Sequence, residues 1–566
     1  MGELFRRLAS RPGLTIEILV ASLLANVLAL ASSLYVIQVL NRYVSFGVNA
    51  TLAAMTAGVL IAIVLEFGFR QVRLKLATVL SAGKDSNLAT GAFGMLTTAR
   101  LQALEGIPSG ERREIVRGMD AVEGAYNAGN ICAVIDVPFA LMFAFVLFLL
   151  SPVLAGIVCV FLVVTFCYGV WAHRGLRGPT KQLTDIASQG ASLITNANQA
   201  MDSVRAFNGS DLLVKAWQRY LEAAQPLRRK IGRAQAFVQQ MTQSGQALMS
   251  VSVYSVGAFL VVQGELDVGV LIGANILSAR ALGPLIKFAQ LGETLTKAEQ
   301  ALERVREFAS LPVEPDGGAK IGEYQGQIEY RDAGFSHPSA PAPLFESLDL
   351  KLAPGGVLIV TGGNGTGKTT LARLTAGLLE LDRGQILVDG VELRQLDPAW
   401  WRRQVVYMPQ EPTFIAGTLR QNLLAANPDL DEEAMIELIR TVGLGRFLDE
   451  SEQGLDQPIV NGGLNLAVGQ RRRLGLARGL ATGGRLAILD EPTESLDEEG
   501  CAAVYSVLID MAKRGVTIIA ISRDPQILKG ATLLLDLNAK PVPAIRHTQP
   551  EAANAGDDAA KRGAAE

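Results

Sequence analysis

Six stretches of this 566-residue chain are apolar for long enough to cross a bilayer, and all of them fall in its first half or just beyond it. They run over about 16–40, 51–69, 131–150, 153–173, 245–263 and 268–290, close to the roughly 20 helical residues that span a hydrocarbon core. The first is too long for the apolar part of a cleavable signal peptide, and no small-residue cleavage site follows it. It is expected to be retained, so residues 1–308 read as a six-helix, all-α transmembrane domain. Composition agrees: 49% of residues are hydrophobic and only 19% charged, where a soluble protein carries closer to a quarter.

The connections between spans are lopsided. Ser151-Pro152 alone joins spans three and four, and Gly264 to Asp267 joins five and six. About 60 residues separate spans two and three, and about 70 separate four and five. The long connections carry the positive charge: Arg70, Arg73, Lys75, Lys84, Arg112, Arg113 and Arg117, then Arg174, Arg177, Lys181, Arg228, Arg229, Lys230 and Arg233. The amino terminus adds Arg6, Arg7 and Arg11. Positive charge stays on the cytoplasmic side, which places both termini and both long connections there. Their mixed apolar and charged pattern predicts helices that continue out of the membrane rather than inserted soluble domains. Asn26, Glu66, Asn275 and Arg280 are polar residues within spans, which usually face a cavity or a partner. Arg280 is a candidate for lining a substrate path, or for reaching back to the interface. Asp136, ahead of Pro138, reads as a helix-start signal.

The net charge of −3 excludes the basic surface that a nucleic-acid partner requires. Cys132, Cys159, Cys167 and Cys501 form no CxxC pair and read as buried hydrophobic residues, with no disulfide or metal site implied.

After a polar linker over 309–326 the pattern changes to short strands and helices, the mark of an α/β domain over 327–540. Val357 to Val360 reads as a strand, followed by Gly362-Gly363-Asn364-Gly365-Thr366-Gly367-Lys368-Thr369 and a helix that opens Lys368-Thr369-Thr370. This is GxxxxGK[ST] between a strand and a helix, the setting a phosphate-binding loop requires. The glycines let backbone N–H groups wrap phosphates, and the helix amino terminus favours their charge. Lys368 is expected to reach the β- and γ-phosphates and Thr369 to ligate Mg²⁺. Leu486 to Leu489 reads as a buried strand ending in Asp490-Glu491. Asp490 there can hold the Mg²⁺ shell, while Glu491 orients or deprotonates the attacking water.

With these motifs in place, residues from about 325 to 540 resemble the P-loop ATPase domain of ATP-binding-cassette (ABC) transporters. The resemblance makes Gln410 the Q-loop glutamine, which contacts Mg²⁺ and water. It makes Leu466-Ala467-Val468-Gly469-Gln470 the signature motif and Ser495-Leu496-Asp497 the D-loop. It implies ATP and Mg²⁺ as cofactors and head-to-tail dimers, each nucleotide lying between one subunit's phosphate loop and the other's signature helix. Ala467, Gly469, Gln470 and Asp497 would thus contact nucleotide from the partner's side. The membrane half resembles type I ABC exporters with long cytoplasmic helices, and within them the ATPases of bacterial type I protein secretion, on IDVPFALMF and ANILSARALGPLIKF. With about 15 residues before the first span, the amino-terminal peptidase-like domain of some relatives is not expected.

Three positions depart from the family. The signature serine is Ala467 and one of its glycines is Val468. The lost hydroxyl would have bonded the γ-phosphate, a hydrogen bond to a charged group worth roughly 1.5–3 kcal/mol. Ser522 stands where the family has its switch histidine. The aromatic that stacks on adenine becomes His337, which presents less area. Nucleotide binding is expected to survive all three, and turnover to suffer.

The reading that follows is ATP-driven export of a polypeptide across a bacterial inner membrane, as a homodimer or as a heterodimer with a second ABC half-transporter. A periplasmic adaptor and an outer-membrane channel are further expected partners. A weakly hydrolysing half of a heterodimer, or a nucleotide-gated scaffold that transports nothing, are the competing readings. The Ala-, Pro- and charge-rich tail, 541–566, is expected to be disordered.

Overall fold

A computed structural model of the chain describes residues 2–337 and 342–548. They fall into two compact units. The first holds everything described up to Ala99 together with Ala103–Pro312, and the second holds Arg100–Gln102 and everything described from Val313 onward.

The first unit is all helix. Its six candidate spans are Pro12–Tyr43, Asn49–Thr98, Ala128–Leu150, Pro152–Gln199, Ser210–Val262 and Val268–Gln290. In lipid no water is available to satisfy backbone groups, so a helix is the form these apolar segments must take. Three of them are 50, 48 and 53 residues long. At 1.5 Å per residue each runs about 75 Å, against about 30 Å for the hydrocarbon core. The long connections are therefore largely continuations of the spans, as their charge pattern predicts. Ile61, Val64 and Phe67 on the second span, and Val160, Val163 and Val164 on the fourth, are exposed on the protein surface. A surface this apolar suits lipid and not water. Cys159 and Cys167 share that exposed face, which corrects the expectation that all four cysteines are buried; Cys132 is buried.

Polar residues inside the spans find one another. Arg73 donates to both carboxylate oxygens of Asp136, at 2.6 and 3.0 Å, and Asn26 donates to Asp136 Oδ1 at 3.1 Å. Both partners of the ion pair are largely enclosed. Asp136 is not the helix start expected of it. It ends the helix Ala128–Ile135, and the span resumes at Phe139, because Pro138 has no N–H to continue the ladder and its ring clashes with the preceding turn. The break leaves a carboxylate inside the bundle, and Arg73 neutralises it. Arg280 donates to Ser32 Oγ at 2.9 Å and stands 3.8 Å from Glu66, which also accepts from Arg70. Asn275 accepts from Ser250 and donates to Tyr254.

The second unit carries two main sheets. In the six-stranded sheet the order is Ala544–His547, Leu533–Asp536, Val357–Thr361, Thr517–Ile521, Leu486–Asp490 and Val405–Met408. The last five of these run parallel, so their carboxyl ends share one edge, where α/β sheets place their sites. The central strands Thr517–Ile521 and Leu486–Asp490 are buried throughout, which explains their unbroken apolar run. An antiparallel sheet is built on Phe345–Leu352, Ile328–Phe335 and Arg383–Val388.

Two expectations change here. The polar linker is partly folded onto the second unit: Tyr324 is buried against Trp401, Ala319 pairs with Leu396, and Glu314 binds Arg402. The start of the presumed tail is ordered too, since Ala544–His547 pairs antiparallel with Leu533–Asp536. Ile545 packs against the core, a contact that the low-complexity character of the tail concealed. Residues 549–566 lie outside the described residues.

Removing one partner of the Arg73–Asp136 pair strands the other charge, at a cost of about 3–5 kcal/mol. Asp136→Ala and Arg73→Ala should each lower the unfolding temperature of the detergent-solubilised protein more than the paired replacement Arg73→Met with Asp136→Leu. Thermal unfolding of the three variants reads this directly, and a paired replacement as costly as both single losses together would remove the pair's structural role.

Candidate nucleotide site

The strand Val357–Thr361 runs through the middle of the six-stranded sheet and delivers the chain to a glycine loop at its carboxyl edge. Gly365 and Gly367 take φ of 75° and 102°, conformations that side-chain-bearing residues resist. The turn they make opens directly into the helix Lys368–Thr375. Lys368 Nζ donates to Gly362 O at 3.0 Å and Gly363 O at 2.9 Å, folded back over the loop it belongs to. Asn538 Oδ1 accepts from the Gly363 N–H at 2.8 Å, and Thr366 Oγ1 donates to Gly363 O at 3.0 Å. The loop is thereby held in shape from its own side and from the end of a neighbouring strand.

Facing it is the end of Leu486–Asp490. Thr369 Oγ1 donates to Asp490 Oδ2 at 2.6 Å, so hydroxyl and carboxylate converge without any third residue. Burial pushes the carboxyl of Asp490 above its ordinary range, against the opposing pull of the Thr369 bond and Lys368. Burial also raises Glu491, helped by Asp490 and Glu494 and opposed by Lys368. Glu491 adopts φ of 49°, a left-handed backbone that turns the chain off the strand end. The result is a cleft of about 630 Å³ lined by the loop residues Asn364, Gly365 and Gly367, by Lys368, Thr369 and Thr370, and by Gln410, Asp490 and Glu491. Among the described residues no group of three or more His, Cys, Asp or Glu is placed to hold a metal by itself. One hydroxyl and one carboxylate suit a hard cation that takes its remaining oxygens from phosphate and water, which is how Mg²⁺ binds.

Three lining residues escaped the sequence. Leu344 stands over Gly367, about where an added Cβ would touch it at 3.4 Å. Glu494 accepts from Gln410 at 3.4 Å and from Arg472 at 2.9 Å, tying the Q-loop to the signature helix. Arg523 donates to Gly362 O at 2.6 Å. Arg523 aligns with the arginine that follows the family's switch histidine, but the alignment gives it no role, and a Glu between two motifs carries no pattern that would single it out.

His337 and Ser522 do not line this cleft, and the signature residues, expected to act on a partner's nucleotide, lie away from it. His337 is exposed and is not among its lining residues; the apolar cover comes from Leu344, because the chain returns at the start of Phe345–Leu352. Ser522 is buried and its Oγ accepts from the Asp524 N–H at 3.1 Å. It caps the next turn and is not among the residues that line the cleft. Ala467, Gly469 and Gln470 sit at the start of the helix Val468–Leu480, away from this subunit's own cleft. Gln470 Oε1 accepts the Ala467 N–H at 3.1 Å, but Ala467 has no oxygen to return the bond, so half of a capping box is missing. Asp497 accepts from the Gly500 N–H at 2.9 Å and caps the helix Glu498–Lys513.

Crowding two desolvated carboxylates at one strand end has a stability cost. Their raised values mean that the folded state gives up this cost as pH falls through them, and bears it in full at neutral pH. Glu491→Gln should therefore raise the unfolding temperature of the nucleotide-free protein at neutral pH, with the gain shrinking as the pH is lowered. Differential scanning of both proteins across pH is the check; a gain that is constant with pH would assign it to something other than charge.

Comparison with known proteins agrees with this geometry. Residues 345–494 match the ABC transporter family and residues 15–285 match the ABC transporter transmembrane region. The alpha-hemolysin translocation ATP-binding protein HlyB of Escherichia coli O157:H7 is 26% identical over 512 residues, covering 90% of this chain and 72% of that protein. The type I secretion system ATP-binding protein PrsD of Rhizobium meliloti (strain 1021) is 26% identical over 522 residues, covering 92% and 89%. A bacterial Atm1-family ABC exporter solved with ATP bound shares the fold with a TM-score of 0.81 across 94% of both chains, at 17% identity. The chain belongs to the ABC transporter family, as a multi-pass membrane subunit whose transmembrane region and ATP-binding domain are fused on one polypeptide.

Proposed function

We propose that this subunit binds Mg²⁺-ATP in the cleft around Lys368 and uses it to drive export of a polypeptide across a bacterial inner membrane. The observation that carries the reading is the convergence of Lys368, Thr369, Asp490 and Glu491 on one cleft of about 630 Å³, in a chain that also supplies six spans. The relatives named for alpha-hemolysin translocation and for type I secretion support a polypeptide as cargo. A periplasmic adaptor and an outer-membrane channel would then complete the route. The positive charge of the long connections favours a cytoplasmic site for the nucleotide domain.

The chemistry follows from the residues. N–H groups of the glycine loop and the start of Lys368–Thr375 bind the β- and γ-phosphates. Lys368 leaves its resting carbonyls for the same oxygens. Thr369, Asp490 and Gln410 would hold Mg²⁺, which neutralises charge on the β- and γ-phosphate oxygens. Glu491, raised toward neutrality by burial, is a better proton acceptor for the attacking water than an exposed carboxylate. The second wall of the site comes from a partner's signature helix, so the working unit is a dimer of such subunits.

A second reading is favoured by the incomplete cap at Ala467 and the inward turn of Ser522: this chain hydrolyses slowly alone and serves as one half of a heterodimer. A partner with an intact signature would complete the cleft on Lys368, Asp490 and Glu491. This chain's Ala467 and exposed Val468 would weaken only the partner's cleft.

Lys368→Ala should weaken ATP binding severely in nucleotide titrations of the full-length protein, since it removes the loop's own cation. Equal affinities for wild type and variant would end the phosphate-loop assignment. Restoring Ala467→Ser with Val468→Gly should raise the basal turnover of the isolated protein by about 10- to 100-fold if the missing hydroxyl is limiting. Turnover that is unchanged by the repair, or already rapid without it, would make these replacements neutral drift.

A further inference from the structure

Arg523 lies in the nucleotide cleft without a role that any motif assigns. Its guanidinium donates to Gly362 O at 2.6 Å, the same oxygen that takes Lys368 Nζ at 3.0 Å. Two full cations thus share one uncharged carbonyl. Neither has a carboxylate within ion-pair distance among the described residues, although both line the cleft with Asp490 and Glu491. They act on Asp490 and Glu491 only across the cleft, which leaves both free to close on a phosphate placed between.

The backbone around Arg523 is fixed from both sides. Ser522 before it is buried and holds the Asp524 N–H. Asp524 after it accepts from Thr493 Oγ1 at 2.9 Å and from the Tyr505 hydroxyl at 2.6 Å. Thr493 belongs to the turn that follows Glu491. This frame aims Arg523 at the cleft and turns Ser522 away from it. An arginine so placed is always charged and presents a planar fork that matches phosphate oxygens.

We propose that Arg523 is the γ-phosphate cation of this site, moving from Gly362 O onto the terminal phosphate of ATP and supplying the charge that Ser522 cannot. The proposal rests on the ATP reading of the cleft. In phosphoryl transfer, negative charge spreads over the oxygens of the transferred group, and a fixed cation there favours the transition state. ADP has no group at that position, so the contribution of Arg523 separates the two nucleotides.

The test compares ATP and ADP affinities and single-turnover hydrolysis for the full-length protein in lipid nanodiscs, as wild type, Arg523→Ala, Arg523→Lys and Lys368→Ala. Arg523→Ala should weaken Mg²⁺-ATP by about 10- to 100-fold, leave ADP affinity unchanged, and slow hydrolysis on the order of 10²-fold. Arg523→Lys should recover part of the ATP affinity by charge alone. An unchanged ratio of ATP to ADP affinity in Arg523→Ala, whether both affinities hold or both fall together, overturns the proposal. Failure of the ATP reading looks different: Lys368→Ala would then bind ATP as wild type does.

Discussion

The cleft depends on one constraint: two neighbouring carboxylates, Asp490 and Glu491, are held at the end of a fully buried strand beside Lys368 and Thr369. Burial alone drives both toward their neutral forms. Lys368 and Arg523, which rest on Gly362 O, already oppose that drive at Glu491, and a bound cation would oppose it further.

The membrane half solves a related problem with the opposite result. Pro138 breaks the third span and leaves Asp136 inside the bundle, and Arg73 answers it bidentately with Asn26 in support. Here the charges cancel within the protein, so the pair fixes how three spans pack. Glu66 with Arg70 and Arg280 is looser: Arg280 stays 3.8 Å from Glu66 and partly exposed. The two units use the same chemistry differently, paired for structure in one and unpaired for ligand in the other.

Much of this was legible in the sequence because it depends on local pattern. Twenty apolar residues in a row have one stable form in lipid, and a glycine loop between strand and helix has one geometry. Both units, the six spans, Lys368, Thr369, Asp490, Glu491 and Gln410 follow from such patterns. The misplacements are all tertiary. Asp136 reads as a helix start until Arg73, 63 positions away, is brought to it. His337 and Ser522 hold motif positions by alignment, but the fold puts Leu344 and Arg523 into the cleft instead. The strand Ala544–His547 was hidden by the composition around it, and only its pairing with Leu533–Asp536 reveals it.

The position of the terminal phosphate of ATP is decisive. Electron cryomicroscopy of the full-length Glu491→Gln protein with Mg²⁺ and ATP, in nanodiscs, would locate it. The expected map is a dimer with the γ-phosphate held between Lys368 and Arg523 of one subunit and the start of a second subunit's signature helix. Nucleotide bound with Arg523 still on Gly362, or a cleft left empty while ATP binds elsewhere, would contradict it.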